Sequence, residues 1–303
     1  MLESLAADAA RDADLEVTVL VDPARTVALP SRVHSITSAG SNDVATLVAA
    51  SRRADWTVVV APETDGLLLD RVAAVRAAGG RVLAATTAFI RIAADKQATA
   101  DALAAAGVPV PAGRALAAGA ALPADFHVPA VRKPRDGVGG TGFSLLHSTV
   151  APPAACSTRV EAFVPGEPVG VSCLCGPDGV QVLPPRRQRF AAGASAGAVG
   201  GEPLPTGPMA GRAVTLAARA VAAVARAAGD GGQGCGWVGV DMILGNRGDG
   251  RADRVLEVNP RLTTSFVGLA AAAPTSLVRR MLDLATATAG KGRPNTVVPV
   301  ASH

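Results

Sequence analysis

The chain has no tyrosine, two tryptophans and six phenylalanines, so aromatics make up only 3% of its 303 residues. Single-stranded nucleic acid is gripped by aromatic platforms along a basic groove, and this scarcity excludes such a partner. Basic residues exceed acidic ones by only four, which adds nothing in favour of a polyanion. Cysteine is also rare: Cys156, Cys173, Cys175 and Cys235. Cys173 and Cys175 stand too close for a zinc knuckle and have no Cys/His cluster beside them, so they read as free thiols packed in strands. There is no signal-peptide pattern and no apolar run long enough to span a bilayer, from which a cytoplasmic protein with no membrane partner is expected. The alanine-rich segment 209–229 is interrupted by Arg212, Arg219 and Arg226, whose seven-residue recurrence marks one solvated helix face. Lysine is the scarcest charged residue, 3 of 29 basic positions: Lys96, Lys133 and Lys291. Where arginine stands almost everywhere else, a surviving lysine suggests a site that needs a compact ammonium. Lys291, in a polar tail, is better ascribed to chance.

What is present in quantity is apolar residues, at 49%, against 18% charged, which excludes global disorder. The length allows about two domains. Residues 1–92 alternate strand and helix: strands over 15–21, 33–37, 56–61 and 81–84, helices over 1–11, 41–54 and 65–78. This βαβ rhythm implies a parallel sheet, with ligands beyond the carboxyl ends of its strands, where Ala61-Pro62-Glu63-Thr64 lies. The domain opens on a helix, so its first strand reads as missing. A helix over 95–106 and the extended Gly107-Val108-Pro109-Val110-Pro111 follow, then a run of antiparallel strands flanked by helices. The segment 190–208, rich in Gly, Ala and Pro, reads as a mobile loop, with a lid as its expected use.

The chemistry gathers in three stretches. Arg254-Val-Leu-Glu257-Val-Asn259-Pro-Arg261 alternates as a strand does, which puts Glu257 and Asn259 on one face. Trp237-Val-Gly-Val-Asp241-Met-Ile-Leu244 precedes it across a turn rich in Gly, Asn and Asp, so the pair reads as a hairpin with Asp241 near Glu257. Two carboxylates and an amide oxygen suit Mg²⁺ or Mn²⁺, although an ordinary solvated strand face gives the same alternation. Second, the strand Val131-Arg132-Lys133-Pro134 runs into Asp136-Gly137-Val138-Gly139-Gly140-Thr141-Gly142 and then into another strand. Rossmann and Walker loops open helices, so this is instead a glycine-rich hairpin able to fold over phosphates, with Lys133 beside it. Third, Glu161-Ala-Phe163-Val164-Pro-Gly-Glu167 and Arg186-Arg187-Gln188-Arg189 add acids and a basic edge.

In this order, and together with Asp95-Lys96, these passages resemble the ATP-grasp superfamily over roughly residues 88–275. The resemblance implies an α/β plus α+β fold: an amino-terminal Rossmann-like domain (1–92), a small lid subdomain (93–165) and a large carboxyl-terminal subdomain (166–303). It implies ATP as cofactor, held at the phosphates by Lys96, Lys133 and the loop of Asp136, Gly137, Gly139, Gly140, Thr141 and Gly142. Adenine would lie on Glu161, Phe163 and Val164, and ribose on Glu167. Asp241, Glu257 and Asn259 would hold Mg²⁺ or Mn²⁺, and Arg261 with Lys133 would serve catalysis beside the γ-phosphate. Three passages, Ala61-Pro-Glu63-Thr-Asp65, Arg187-Gln188 and 259–265, further resemble the branch containing tyramine–glutamate ligase of methanofuran biosynthesis. That branch implies an amide ligase joining L-glutamate to an amine, with Glu63, Arg187 and Gln188 near substrate. Small-molecule acid and amine partners are expected, with a homodimer open. A D-alanine ligase-like enzyme, a kinase and a nucleotide-binding protein without catalysis are the other readings.

Overall fold

The structure, a computed structural model, describes residues 1–38, 43–138, 142–190, 198–229, 232, 234–287 and 296–301. The chain begins with α1 (Leu2–Ala10), β1 (Glu16–Val21), β2 (Val33–Thr37), α2 (Val44–Ser51), β3 (Trp56–Val60), α3 (Leu67–Ala77), α4 (Thr87–Ala94) and α5 (Lys96–Ala105). Next come β4 (Gly113–Leu116), β5 (Ala130–Pro134), β6 (Ser144–Leu146) and β7 (Thr158–Ala162), which form one antiparallel sheet in the order β4-β7-β5-β6. A second antiparallel sheet is built from β8 (Glu167–Gly176), β9 (Gly179–Val182) and β10 (Arg186–Arg187), joined later by β13 and β14. Between them lie β11 (Arg189–Phe190), β12 (Ala198–Gly200) and α6 (Pro208–Ala228). Then follow β13 (Gly236–Leu244), β14 (Arg254–Asn259), α7 (Ser265–Ala272), α8 (Leu277–Thr286) and β15 (Thr296–Ala301). The combination of a parallel amino-terminal sheet with two antiparallel ones is the expected α/β plus α+β architecture.

The slot that the sequence leaves vacant in the first sheet is filled from the other end of the chain. The sheet order is β2-β1-β15-β3, all parallel, with Glu16 paired to Thr296 and Trp56 to Val297. Proline lacks an N–H for the ladder and usually marks an edge strand, yet Pro299 sits in this inner strand opposite Val58. The return is anchored by helices: Asp8 of α1 accepts hydrogen bonds from Ser276 Oγ at 3.0 Å and Val278 N at 2.9 Å, at the start of α8.

Helix α6 forms because Pro208 can open a helix and Ala213, Leu216, Ala217, Ala220, Val221 and Val224 recur on one face. That face is buried against β13, β8, α4 and α5. Its arginines are not simply a solvated face. Arg212 pairs with Asp253 at 2.9 Å and Arg219 donates to the Gly107 carbonyl at 2.8 Å, while Arg226 is exposed. Residues 81–84, expected as a strand, make only a single bridge between Thr57 and Val82. The next carbonyls go elsewhere: Ala84 O accepts from Arg76 and from Cys235 N, and Ala85 O from Arg76. The described part of 190–208 is more regular than a loop, with β12 paired to β11 and Leu204 N donating to Pro185 O. Cys173 and Cys175 are free and buried in β8, and burial pushes the Cys173 thiol up to about 12. No helix among the described residues is long and apolar enough to cross a membrane.

An open sheet edge loses the ladder that protects its amides. A chain ended after residue 295 is therefore expected to lose hydrogen-exchange protection at Val17–Leu20 and Val58–Val60, with a lowered melting temperature. Unchanged protection at those amides would show that β15 does not complete the sheet.

Candidate active site

The hairpin forms as its alternation requires: Asp241 of β13 is the direct partner of Glu257 of β14, and Gly239 of Asn259. Asp241 is partly buried and accepts hydrogen bonds from Gln188 Nε2 at 2.6 Å and Asn259 Nδ2 at 2.9 Å. Gly170 on the neighbouring β8 makes room for this contact, because a Cβ there would lie 2.9 Å from Gln188 Nε2. Burial, and then the negative charge of Glu257, push Asp241 up to about 7. Burial acts on Glu257 in the same sense, but Lys96, Lys133 and Arg261 outweigh it and hold that carboxyl below its ordinary range.

The two lysines reach this hairpin from separate elements. Lys96 begins α5, lies 3.5 Å from Glu257 and donates to the Gly137 carbonyl. Its helix is capped by Asp95, which accepts from Gln97 N at 2.9 Å and also binds the Arg135 guanidinium. Lys96 N donates to Arg135 O at 2.9 Å, so the base of the glycine-rich loop is pinned to the start of α5. Lys133, on β5, is buried and donates to Leu256 O at 3.1 Å. It pairs with Glu161 at 2.6 Å.

Glu161 is thus fully engaged. Arg159 holds its other oxygen at 2.9 Å, and Arg159 itself donates to Gln97 Oε1 and Pro111 O. The Glu161 carboxylate, expected beside adenine, pairs with Lys133, and of the residues that follow Phe163 is exposed and Val164 half-buried. Arg159 and Glu161 alternate on one strand and so share a face, but that alternation does not tell whether the face points inward. Glu167, at the start of β8, pairs with Arg187 at 3.1 Å, and both are half-buried. Asp136, Gly137 and Gly142 are placed on either side of the loop tip. Gly139, Gly140 and Thr141 lie outside the described residues.

Arg261 joins this group to the amino-terminal domain. Its Nε is 2.6 Å from Glu63 Oε2, and Glu63 is only 5% exposed. Glu63 sits just beyond β3, before a turn in which Asp65 takes a left-handed φ of 54° that non-glycine residues seldom adopt. Glu63 is therefore a buried partner of the arginine. Lys96, Lys133, Asp241, Glu257, Asn259, Gln188 and Arg261 converge, with Glu63 behind them. Glu167 and Arg187 form a separate, half-buried pair.

Residues 93–265 match the ATP-grasp domain and residues 15–90 the pre-ATP-grasp 3 domain. The chain belongs to the ATP-grasp superfamily. Solved structures of this fold include an ATP-grasp superfamily protein from Archaeoglobus fulgidus, 22% identical with a TM-score of 0.61, covering 82% of this chain and 70% of that one. N5-carboxyaminoimidazole ribonucleotide synthetase from Thermotoga maritima is 17% identical with a TM-score of 0.67, covering 93% of this chain and 72% of that one. D-alanine–D-alanine ligase from Bacillus anthracis, in complex with ATP, is 16% identical with a TM-score of 0.62, covering 89% and 97%. At these identities the likeness is one of ATP-grasp fold. No curated protein matches the chain in sequence.

Two predictions follow from the ATP-grasp site's charges. Removing one partner of a buried ion pair strands the other, at a cost of about 3–5 kcal/mol. Glu161→Ala should lower unfolding free energy by about that amount in urea titrations, because Lys133 and Arg159 are both left buried without a counter-charge; a change within error would show the pair to be solvated. Asp241, with a folded pKa raised from 3.8 to about 7, favours the fold when protonated. That contribution is lost as pH rises through about 7. In metal-free and nucleotide-free protein, Asp241→Asn should therefore raise the melting temperature more at pH 8 than at pH 5. Equal shifts at both pH values would refute the raised pKa.

Proposed function

We propose that this ATP-grasp chain is an ATP-dependent ligase joining a carboxylate to an amine through an acyl phosphate. The observation that carries the reading is the convergence of Lys96 and Lys133, from two elements, on the Asp241–Glu257 hairpin, with Arg261 beside it. Phosphoryl transfer needs little covalent work from a protein; it needs placed positive charge around in-line oxygens. Lys96 and Lys133 would carry that charge to the phosphates, the backbone after Glu161 and the side chain of Phe163 would meet adenine, and Glu167 the ribose. Arg261 would hold the transferred phosphoryl group as it passes to the substrate carboxylate. That several neighbours of the same fold are named as ligases or synthetases supports the class.

Asp241, Glu257 and the amide oxygen of Asn259 are hard oxygen donors that fit Mg²⁺ or Mn²⁺. The upward shift of Asp241 beside Glu257 is the electrostatic mark of a site short of positive charge. A divalent cation held there would neutralise phosphate oxygens. For the acid we propose L-glutamate, and for the setting one-carbon cofactor synthesis of the methylofuran type in the cytoplasm. Both rest on the resemblance of 61–65, 187–188 and 259–265 to tyramine–glutamate ligase.

The test is ADP release with L-glutamate against a panel of amines, with product masses read out. An amide product is expected in the parent. Lys133→Ala should lower turnover by about 10²–10³-fold, as for loss of one charge-stabilising donor, with circular dichroism unchanged. Near-normal turnover in that variant would remove Lys133 from the phosphate site. ATP binding with no ADP from any pair would point to a non-catalytic protein, and a phosphorylated product to a kinase.

A further inference from the structure

Strands β10, β8, β13 and β14 lie side by side, and one row across them reads Arg186, Gly170, Asp241 and Glu257. Gln188 stands just past β10, yet its side chain reaches Asp241 across the whole width of β8: its Nε2 donates to Asp241 Oδ1 at 2.6 Å. Neighbouring strands are about 4.8 Å apart, so the amide has to cross roughly two such spacings. The path is open because residue 170 has no side chain. A Cβ there would lie 2.9 Å from Gln188 Nε2 and 3.3 Å from Asp241 Oδ1. The start of the reach is fixed as well. Gln188 N donates to Pro168 O at 2.9 Å, and Arg187 N to Glu202 O at 2.8 Å.

Both oxygens of Asp241 are held by neutral amides, Oδ1 by Gln188 and Oδ2 by Asn259 Nδ2 at 2.9 Å. A carboxylate oxygen can accept twice, so each keeps a lone pair, and neither amide cancels the negative charge. Glu257, in contrast, lies 3.5 Å from the ammonium of Lys96. Carboxylates that bind cations are usually oriented by outer hydrogen bonds of this kind, and loss of one typically weakens metal binding by about 10–100-fold. Resting on the cation site proposed above, we propose that Gln188 is a positioning residue for that site: reaching over β8, its amide fixes the Asp241 carboxylate in the orientation that meets Mg²⁺ or Mn²⁺. Gln188 therefore serves the metal half of the site, in place of the substrate contact that the resemblance of Arg187-Gln188 implies. Gly170 is the second part of the device, since a side chain at that position would stand in the path of the amide.

The experiment titrates Mn²⁺ into the full chain without nucleotide, and again with ADP against an ADP-only control, and reads the free ion by electron paramagnetic resonance. Gln188→Ala should weaken Mn²⁺ binding by about 10–100-fold, while the metal-free melting temperature stays near the parent's. Gly170→Ala leaves the amide and both carboxylates in the chain, and should weaken binding in the same range by displacing the amide. Because the two substitutions act on one contact, the double variant should bind Mn²⁺ about as well as Gln188→Ala alone. Losses that add in the double variant, or Mn²⁺ binding unchanged in both single variants, overturn the positioning role. So does a Gln188→Ala protein that binds Mn²⁺ as the parent does and only needs more carboxylate substrate for ADP release, which would return Gln188 to the substrate. A parent that takes up no Mn²⁺ in either titration beyond the ADP-only control overturns the cation site itself.

Discussion

Two carboxylates set opposite each other on paired strands repel, and the rest of the site is arranged around that repulsion. Asp241 and Glu257 are fixed in register by the β13–β14 ladder, so neither can move away. The protein offsets part of the cost with cations from three places in the chain: Lys96 at a helix start, Lys133 on β5, and Arg261 just past β14. It divides the charge unevenly, lowering the affinity of Glu257 for a proton and raising that of Asp241. In an ATP-grasp protein this is the place where phosphates and a divalent ion would be brought together.

Each of those cations is itself held. Glu161 and Leu256 O fix Lys133, Gly137 O fixes Lys96, and Glu63 fixes Arg261. Because the holders come from the end of β3, the β4–β7 sheet, β14 and the loop base, the site depends on all of these parts keeping their places. Glu63 is the most telling of them. It lies at the carboxyl end of β3, where parallel sheets present their ligand-binding loops, and through it the amino-terminal domain reaches Arg261.

The hairpin was legible because strand alternation has a fixed period, so Asp241, Glu257 and Asn259 had to share a face once the turn was recognised. The lysines stood out through rarity. Partnerships were less legible. Nothing local tells that Glu161 faces inward to Lys133 and Arg159, or that Glu63 is buried, since both depend on contacts made far along the chain. Helix α4 is not legible in the sequence, although Thr86 caps it by accepting from Phe89 N, because its Thr, Phe and Ile residues favour strands as much as helices. Residues 81–84 have the composition of a strand, but their carbonyls are claimed by Arg76 and Cys235. The strand at 296–301 carries a proline that argues for an edge, and only the space left between β1 and β3 explains its place.

That strand also sets an order of events. β1, β2 and β3 precede Thr296–Ala301 in the sequence, yet β1 and β3 are joined only through that strand. Contacts this far apart in sequence are slow to form, whereas the antiparallel sheets carrying Lys133 and the carboxylate hairpin are built mostly from nearer neighbours. The antiparallel sheets can therefore assemble while the sheet beside Glu63 still lacks its inner strand, and β15 completes that sheet only by returning to it from far along the sequence.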